Sequence, residues 1–266
     1  MNRAREQLIR ADSPAGQSLT RAVKLKKIIM MKNSERFLDA FVAIEKYLRS
    51  KCNLEQWATF SQLLEVASRS MPEIKRYKED LKEYGELRNA IVHDNRGAGF
   101  VIAEPNTAAV ESIEKIRDLI KKPPLVFPFC KSSVLSYDIN DSIGNPLREM
   151  TGRNFSQIPI LQNGKFKALL TTDTIARWLG SNVDDGMVIL EDTTIGHVLT
   201  FTEDPDNFHF VSRNVTLFNV LEVFDNYEQK GKRLDALFIT ETGKQNDNIL
   251  GIITIFDLPK LLREIK

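Results

Sequence analysis

Cysteine is scarce in this chain: Cys52 and Cys130 are the only two among its 266 residues. Two widely separated cysteines form neither a disulfide framework nor a C-x-x-C metal or redox motif. The sequence therefore excludes the small disulfide-stapled domains and the cysteine-rich metal modules. Since so few thiols fit a reducing compartment, we expect a cytoplasmic protein.

Long hydrophobic runs and histidine clusters are missing as well. No apolar stretch reaches the roughly 18 residues that a transmembrane helix needs, so we expect no membrane partner. His93, His197 and His209 are scattered along the chain, and we expect no metal site. Neither G-x-G-x-x-G nor G-x-x-x-x-G-K-[S/T] occurs, which leaves Rossmann and P-loop nucleotide sites without support.

Charge is balanced overall but uneven along the chain. The sequence has 37 Lys and Arg against 36 Asp and Glu, a net charge of +1. Residues 1–30 hold seven of the basic and two of the acidic residues, which makes this segment +5 and the remainder −4. We predict a basic, disordered extension over 1–30, which contacts RNA or a membrane surface or is simply solvated. Because Met30 and Met31 directly precede a strong helix, it stays open whether this segment belongs to the natural protein.

Helical periodicity dominates residues 31–122. Apolar residues recur every three or four positions in four stretches, which predict helices over 34–50, 54–69, 73–93 and 106–122. The segment from Asn95 to Gly99, NRGAG, ends the third of them. Four helices of this length with short connections predict a helical bundle.

Pro123 and Pro124 end this pattern and open a linker, which we place at 123–130. Beyond it one order of elements occurs twice, about 80 residues apart: helix, strand, loop, strand, helix. The first strand pair, 158–162 and 165–172, is joined by Asn163-Gly164, a strong hairpin signal. The second pair covers 236–240 and 249–255. We assign the first repeat to 131–190 and the second to 191–266.

The segment from Gly251 to Leu258, GIITIFDL, has the most specific chemistry of this half. A buried strand is predicted to end near Thr254, and Asp257 opens a helix three residues later. This spacing places a hydroxyl and a carboxylate at a helix N-terminus, where backbone N–H groups and the dipole favour a phosphate. An Asp also accepts hydrogen bonds from ribose hydroxyls. The alternative is that Asp257 is a plain helix N-cap, and the two roles are compatible.

On these motifs, residues 127–266 resemble a tandem pair of CBS domains, regulatory modules that bind adenine nucleotides and related ligands. The residues that carry the resemblance are Ile158-Pro-Ile160, the Asn-Gly turn and Gly251-Ile-Ile-Thr254-x-x-Asp257. The resemblance implies that Thr254 helps to hold a phosphate and that Asp257 holds the ribose.

The first repeat departs from the CBS pattern at one position. Thr171 is kept, but Thr174 stands where the Asp is expected, and Asp173, one place early, is predicted to cap the following helix. The resemblance thus nominates Thr171 as a weaker ligand contact. It implies one adenine nucleotide per chain (AMP, ADP, ATP or a related compound) as a regulatory ligand.

The end of the predicted third helix gathers three groups with useful chemistry. Arg88 and His93 are five residues apart, about 140° around a helix, while Asn89 and His93 share a face. An imidazole titrates near neutral pH and moves protons, and a guanidinium binds a phosphate with two hydrogen bonds. Together they suit metal-free cleavage of RNA. The alternative is structural: Arg88 pairs with Glu86 or Asp94, and His93 satisfies the helix C-terminus.

With this motif, residues 31–122 resemble the HEPN superfamily, helical-bundle domains marked by Arg, a polar residue and a downstream His. Many members are metal-independent ribonucleases that dimerise to join two Arg/His sets, while others only bind partners or nucleotides. The resemblance implies that His93 is the general acid/base, that Arg88 clamps the phosphate and that Asn89 orients the substrate or His93.

The predicted architecture is therefore a two-domain α+β protein, with an N-terminal four-helix HEPN-like bundle followed by a CBS pair of two β-α repeats. We expect a homodimer in which an adenine nucleotide controls cleavage of single-stranded RNA. Two alternatives remain: a non-catalytic nucleotide sensor whose helical domain binds a protein partner, and a nucleotide-modifying toxin or antitoxin component.

Overall fold

The computed structural model describes residues 31–52, 54, 57–92, 103–130, 133–183, 187–188 and 190–266. By its internal contacts the chain divides into two compact units, Met1–Pro123 and Pro124–Lys266. The predicted basic extension, 1–30, lies outside the described residues. The two units are taken one at a time.

The first unit is helical. Its described helices are α1 Asn33–Lys51, α2 Phe60–Ala67, α3 Pro72–Arg76, α4 Lys78–Ile91 and α5 Thr107–Lys121. Two of the predicted helices differ from these bounds. The second begins only at Phe60, because Thr59 and Gln62 form a capping box there. The third is divided at Tyr77, whose backbone (φ −100°, ψ 16°) leaves the helical region, so the described part of this unit has five helices instead of the predicted four.

The core of this unit lies between α1 and its neighbours. Side chains of α1, α2, α4 and α5 are fully buried there, namely Phe37, Ile44, Leu48, Leu63, Leu64, Leu81, Ile113 and Ile120. Arg36 of α1 donates two hydrogen bonds to Glu114 of α5, at 3.0 and 2.6 Å. Glu104 accepts from the backbone and the hydroxyl of Ser34, both at 2.8 Å, which lowers the pKa of this carboxyl. The first contact joins α1 to α5, and the second joins the start of α1 to the segment that precedes α5.

The second unit contains two β-α repeats. Its described elements are β1 Tyr137–Asp138, α6 Gly144–Arg153, β2 Gln157–Gln162, β3 Lys165–Thr171, α7 Thr172–Asn182, α8 Ile195–Leu199, β4 Phe208–Ser212, α9 Leu217–Gln229, β5 Ala236–Thr240, β6 Ile249–Ile253 and α10 Leu258–Glu264. A single 3-10 turn, Ile255–Asp257, leads from β6 into α10.

Each repeat contributes one three-stranded sheet, in the order β1-β2-β3 and β4-β5-β6. In both sheets the first pair of strands is parallel and the second antiparallel. The predicted hairpin turn has Asn163 at φ 53° and Gly164 at φ 73°, the two left-handed residues that a tight β-turn of this kind requires. Strands β1 and β4 were not among the predicted elements.

Aromatic packing joins the two sheets. Phe166 of β3 lies 4.7 Å from Phe208, 5.1 Å from Phe210 and 5.0 Å from Phe238, measured between ring centroids. These four rings belong to one hydrophobic cluster that also contains Leu169 of β3 and Ala236 of β5. The cluster therefore holds repeat one against repeat two. A second cluster surrounds the buried Trp178 of α7 and also contains Ile195 and Val198 of α8, so that α8 packs against the elements of repeat one.

Within the described part of the chain, no helix combines the length and the apolar character needed to cross a bilayer.

Two glycines provide a matched test of backbone strain. Gly231 and Gly243 both have positive φ, 63° and 84°. A Cβ at Gly243 would lie 3.0 Å from the backbone nitrogen of Ser212, whereas one at Gly231 would meet nothing within 4 Å. Alanine in the left-handed region costs roughly 1–2 kcal/mol at either position. We therefore expect G243A to lower the urea midpoint clearly more than G231A, measured by far-UV circular dichroism. Equal losses would contradict the contact with Ser212.

Candidate functional site

Thr254 and Asp257 form a closed hydrogen-bonded pair at the start of α10. The backbone N–H of Thr254 donates to Oδ2 of Asp257 at 2.9 Å, and the Thr254 hydroxyl donates to the same oxygen at 3.0 Å. In return the Asp257 N–H donates to the Thr254 carbonyl at 3.0 Å. Thr254 therefore stands at the N-cap of the turn, and Asp257 is its third residue.

This arrangement corrects one detail of the sequence prediction. The alternative role of Asp257 was that of a plain N-cap, but its carboxylate points back to Thr254 and makes no capping hydrogen bond to α10, although the residue stands at the N-cap position of that helix. The reason is the 3-10 turn, which brings Asp257, its third residue, back to Thr254 at its N-cap, as in a capping box. For the residues that the structure describes, only Oδ2 of Asp257 is engaged, and Oδ1 is left for another donor.

The first repeat has hydroxyls at the corresponding places. Thr171 caps α7, because its Oγ1 accepts from the Thr174 N–H at 3.2 Å, and the two hydroxyls lie 3.0 Å apart. Both residues are buried, at 4% and 3% exposure. The prediction that Asp173 caps this helix is wrong: its carboxylate instead pairs with Arg233. The hydroxyl of Thr171 is thus already used within its own turn.

Residues of both repeats line a cavity of about 580 Å³ beside Thr254, which we call the Thr254 cleft. Repeat two contributes Ile252, Thr254 and Phe256. Repeat one contributes the segment before β1, the loop between α6 and β2 with the residue on either side of it, and two further residues, namely Ser133, Val134, Leu135, Arg153, Asn154, Phe155, Ser156, Gln157, Pro159 and Thr172. Cavities of this size, largely apolar with a few polar groups, are typical of small-molecule sites.

A second cavity of about 550 Å³, the Thr171 cleft, is also lined by both repeats, but here the turn after the last strand of the sheet comes from repeat one. Here the turn that starts α7 comes from repeat one, and the loop between α9 and β5 comes from repeat two. Its wall contains Thr171, Thr172, Phe224, Asp225, Tyr227, Glu228, Lys232, Arg233, Leu234 and Asp235. The two clefts share Ser156, Gln157, Thr172 and Phe256. Phe256 is 79% exposed, so its ring is available to an occupant of either cleft.

Arg233 bridges the two repeats across the Thr171 cleft. Its guanidinium pairs with Asp173 of repeat one, and its Nε donates to Asp235 at 2.5 Å. Both hydrogen bonds raise the pKa of Arg233, that to Asp235 more strongly. Gln157 of repeat one also donates to the carbonyl of Asp235, at 2.8 Å. The charge of Arg233 is therefore already offset by two carboxylates of the protein.

Cys130 is close to the Thr254–Asp257 pair. Its thiol donates to the Phe127 carbonyl at 3.0 Å. Burial raises the pKa of Cys130, and the negative charge of Asp257 raises it further. A raised pKa keeps the thiol protonated near neutral pH, which makes it a poor nucleophile. Among the residues with described positions, no cluster of three or more His, Cys, Asp or Glu could hold a metal ion.

The predicted catalytic residues are only partly described. Arg88 and Asn89 stand in the last turn of α4, where Nη1 of Arg88 donates to Oδ1 of Asn89 at 3.2 Å. Within the described part of the chain Arg88 is half-buried and forms no ion pair, so the alternative pairing with Glu86 is not observed. His93 lies outside the described residues, as does Asp94.

Three residues of the clefts were not singled out from the sequence: Arg153, Arg233 and Phe256. Each lies at or just after the end of a helix or strand. There the sequence predicts a loop, but it does not predict which other part of the chain that loop contacts. The sequence did contain one signal for Phe256. It is an aromatic residue inside the Thr254-x-x-Asp257 motif, at a position that does not belong to a buried face of the turn.

No family model matches the sequence, and no curated protein matches it either. Among solved structures, CBS domain pairs match about half of the chain. The CBS domain pair of protein MJ0100, in complex with 5′-methylthioadenosine and S-adenosyl-L-methionine, shares 17% identity, over 55% of this chain and 100% of that chain, with a TM-score of 0.41.

Two further matches have similar identities, coverages and TM-scores. A putative signal-transduction protein with CBS domains from Burkholderia ambifaria shares 13% identity over 49% of this chain and 83% of its own, with a TM-score of 0.37. A CBS domain-containing protein from Kribbella flavida shares 13% over 52% and 97%, with a TM-score of 0.40. At this level of similarity no ligand or activity is transferred to the present chain.

The contribution of the Arg233 bridge is measurable by a double-mutant cycle. Arg233 and Asp173 are both more than half exposed, so we expect D173N and R233Q to couple by only about 0.2–1 kcal/mol at low salt. High salt should reduce the coupling further because it screens exposed charges. The Arg213–Glu241 pair, which lies within repeat two, is the matched control. A coupling well above this range would show that the bridge, rather than the aromatic cluster, holds the repeats together.

Proposed function

We propose that the second unit is a regulatory module that binds an adenine nucleotide or a related adenosine compound in the Thr254 cleft. The observation that supports it best is the Thr254–Asp257 pair: Thr254 lines a largely apolar cavity, and Asp257, which is hydrogen-bonded to it but does not itself line the cavity, keeps one carboxylate oxygen without a donor among the described residues. An ionised carboxylate only accepts hydrogen bonds, and a ribose offers two adjacent hydroxyl donors. Phe155, Pro159 and Phe256 give the base apolar and aromatic surfaces.

Regulation requires more than binding. A ligand shifts a conformational equilibrium only by its difference in affinity for the two states. Because the Thr254 cleft is built from both repeats, a change in their relative position changes its shape and so supplies such a difference. We propose that the protein is a homodimer in which this change alters the activity of the helical unit.

For the helical unit we propose a metal-independent ribonuclease that cleaves single-stranded RNA. The supporting observation is that Arg88 and Asn89 are hydrogen-bonded to each other, while Arg88 has no ionic partner in the described part of the chain. A guanidinium in this state can bind a phosphate with two hydrogen bonds. In this proposal His93 is the general acid/base and Asn89 orients the substrate or His93. The competing proposal is a non-catalytic unit that binds a protein partner.

The ligand proposal is tested by calorimetric titration of the full chain with AMP. Replacement of Asp257 by Asn keeps the size of the side chain but removes its charge. Since a hydrogen bond to a charged group contributes about 1.5–3 kcal/mol, we expect the D257N variant to bind AMP roughly 10- to 100-fold more weakly. Glu241→Gln is the control, because Glu241 is a carboxylate of the same repeat that lines neither cleft. Equal affinities in all three proteins would remove Asp257 from the site.

The ribonuclease proposal is tested by incubation with single-stranded RNA in the presence of EDTA. We expect products with cyclic-phosphate ends, since the ribose 2′-OH is the nucleophile in the absence of a metal. H93A should reduce the rate by a factor of about 10²–10⁴, the usual contribution of a general acid/base. R88A should also lose activity, whereas R117A should not, since Arg117 is a partly buried residue of α5 that pairs with Asp118. If wild type and H93A are equally inert with and without nucleotide, the partner-binding proposal replaces this one.

A further inference from the structure

The segment 124–130, which we call the strap, lies against repeat two. It pairs with the N-cap of α9 through an antiparallel bridge. The Val126 N–H donates to the Val215 carbonyl at 3.0 Å, and the Leu217 N–H donates to the Pro124 carbonyl at 2.9 Å. These bonds satisfy backbone groups that would otherwise need water, so the strap is held as part of the second unit.

Two side chains add to this attachment. Val126 is fully buried. The guanidinium of Arg213 lies over the ring of Phe127, with its central carbon 4.7 Å from the ring centroid, and a cation in this position is attracted by the aromatic face. The same guanidinium pairs with Glu241 at 3.2 Å, which holds it in place. The strap thus has one buried apolar anchor and one cation–π contact.

The far end of the strap reaches the candidate ligand site. Its 3-10 turn, Phe127–Phe129, is followed by Cys130, whose thiol donates to the Phe127 carbonyl at 3.0 Å. Cys130 is close enough to Asp257 for this carboxylate to raise the pKa of the thiol. Three positions further along the chain begins a part of the wall of the Thr254 cleft, which consists of Ser133, Val134 and Leu135. The strap is therefore followed in sequence by one wall of the cleft.

The near end of the strap follows the helical unit after a very short connection. Helix α5 ends at Lys121, and only Lys122 and Pro123 separate it from Pro124. Both prolines have a fixed φ, which leaves this connection little rotational freedom. A short, proline-containing connection of this kind transmits a displacement better than a flexible linker rich in Gly and Ser does.

We infer that the strap is the element through which the Thr254 cleft controls the helical unit. The inference rests on the proposed function of the cleft and names the route of its regulation. Attachment of the strap to repeat two fixes the position of the wall residues 133–135. A ligand that contacts this wall opposes detachment of the strap, whereas an empty cleft permits it. Ligand binding and strap attachment are thus linked, and each favours the other by the same factor.

The experiment is hydrogen–deuterium exchange of the full chain, read by mass spectrometry of peptides that cover 124–130. It is run under conditions in which exchange follows the equilibrium of local opening. AMP at about 100 times its dissociation constant should slow exchange of the strap roughly 100-fold, because the ligand has to leave before the strap detaches. Peptides that cover the loop 241–248 are the control, since this loop lines neither cleft and its exchange should not change.

Two variants of one ion pair test how the strap is attached. R213Q removes the cation over Phe127, and we expect it to speed exchange of the strap roughly two- to fivefold without ligand, as the loss of a partly exposed cation–π contact implies. E241Q removes the ion pair but keeps the guanidinium, so its effect on the strap should be much smaller. Equal exchange in the two variants would contradict the contribution assigned to Phe127. Circular dichroism establishes that both variants are folded.

A flexible insertion tests the route to the helical unit. In the wild type, AMP should also slow exchange at the end of α5, where the Lys122 N–H donates to the Asp118 carbonyl at 2.9 Å. Insertion of Gly-Ser-Gly-Ser between Pro123 and Pro124 should abolish this effect on α5, because such a segment is flexible. The effect of AMP on the strap itself should persist in the insertion variant.

The possible results distinguish a failure of the ligand site from a failure of the strap. If calorimetry shows that AMP does not bind, the proposed function fails and the inference with it. If AMP binds but leaves exchange of the strap unchanged, the cleft is still a ligand site, but the strap has no part in its regulation. If α5 does not respond in the wild type, or responds equally with the insertion, the strap does not carry the signal and the inference is wrong.

Discussion

Packing between the two sheets of the second unit is the constraint on which its other features depend. Phe166 of repeat one lies within about van der Waals contact of rings from β4 and β5 of repeat two, with the closest centroids 4.7 Å apart. Each cleft takes one wall from each repeat, so neither would exist if the sheets separated. The exposed Arg233 bridge adds little to this, because solvated ion pairs contribute far less than buried aromatic surface.

The two repeats have a threonine-capped turn at corresponding positions, but the third residue of the turn differs between them. Each sheet ends in a threonine that caps a turn, and each capping threonine bonds to the third residue after it. In repeat one that residue is Thr174, and a buried hydroxyl pair results. In repeat two it is Asp257, and a half-buried carboxylate results. The substitution of one side chain therefore separates a turn that only closes on itself from one that can accept donors from a ligand.

The sequence predicted the features that depend on local pattern. Most helices of both units, the Asn163-Gly164 hairpin and the doubled order of elements follow from periodicity and turn chemistry, and the structure contains them, whereas the short helix α8 was not predicted. What the sequence did not predict depends on distant partners. The two-residue strand β1 is defined only by its pairing with β2, and the role of Asp173 is set by Arg233, 60 residues away in the chain. The break at Tyr77 was not predicted either: the residue leaves the helical region of backbone angles while its side chain is buried.

The two clefts of the second unit are connected, because they share part of their walls. Phe256, Ser156, Gln157 and Thr172 line both of them. A displacement of these side chains that widens one cleft therefore changes the wall of the other, and both clefts take residues from both repeats. Under the proposed function, this shared wall is the contact through which a ligand would bias the relative position of the repeats.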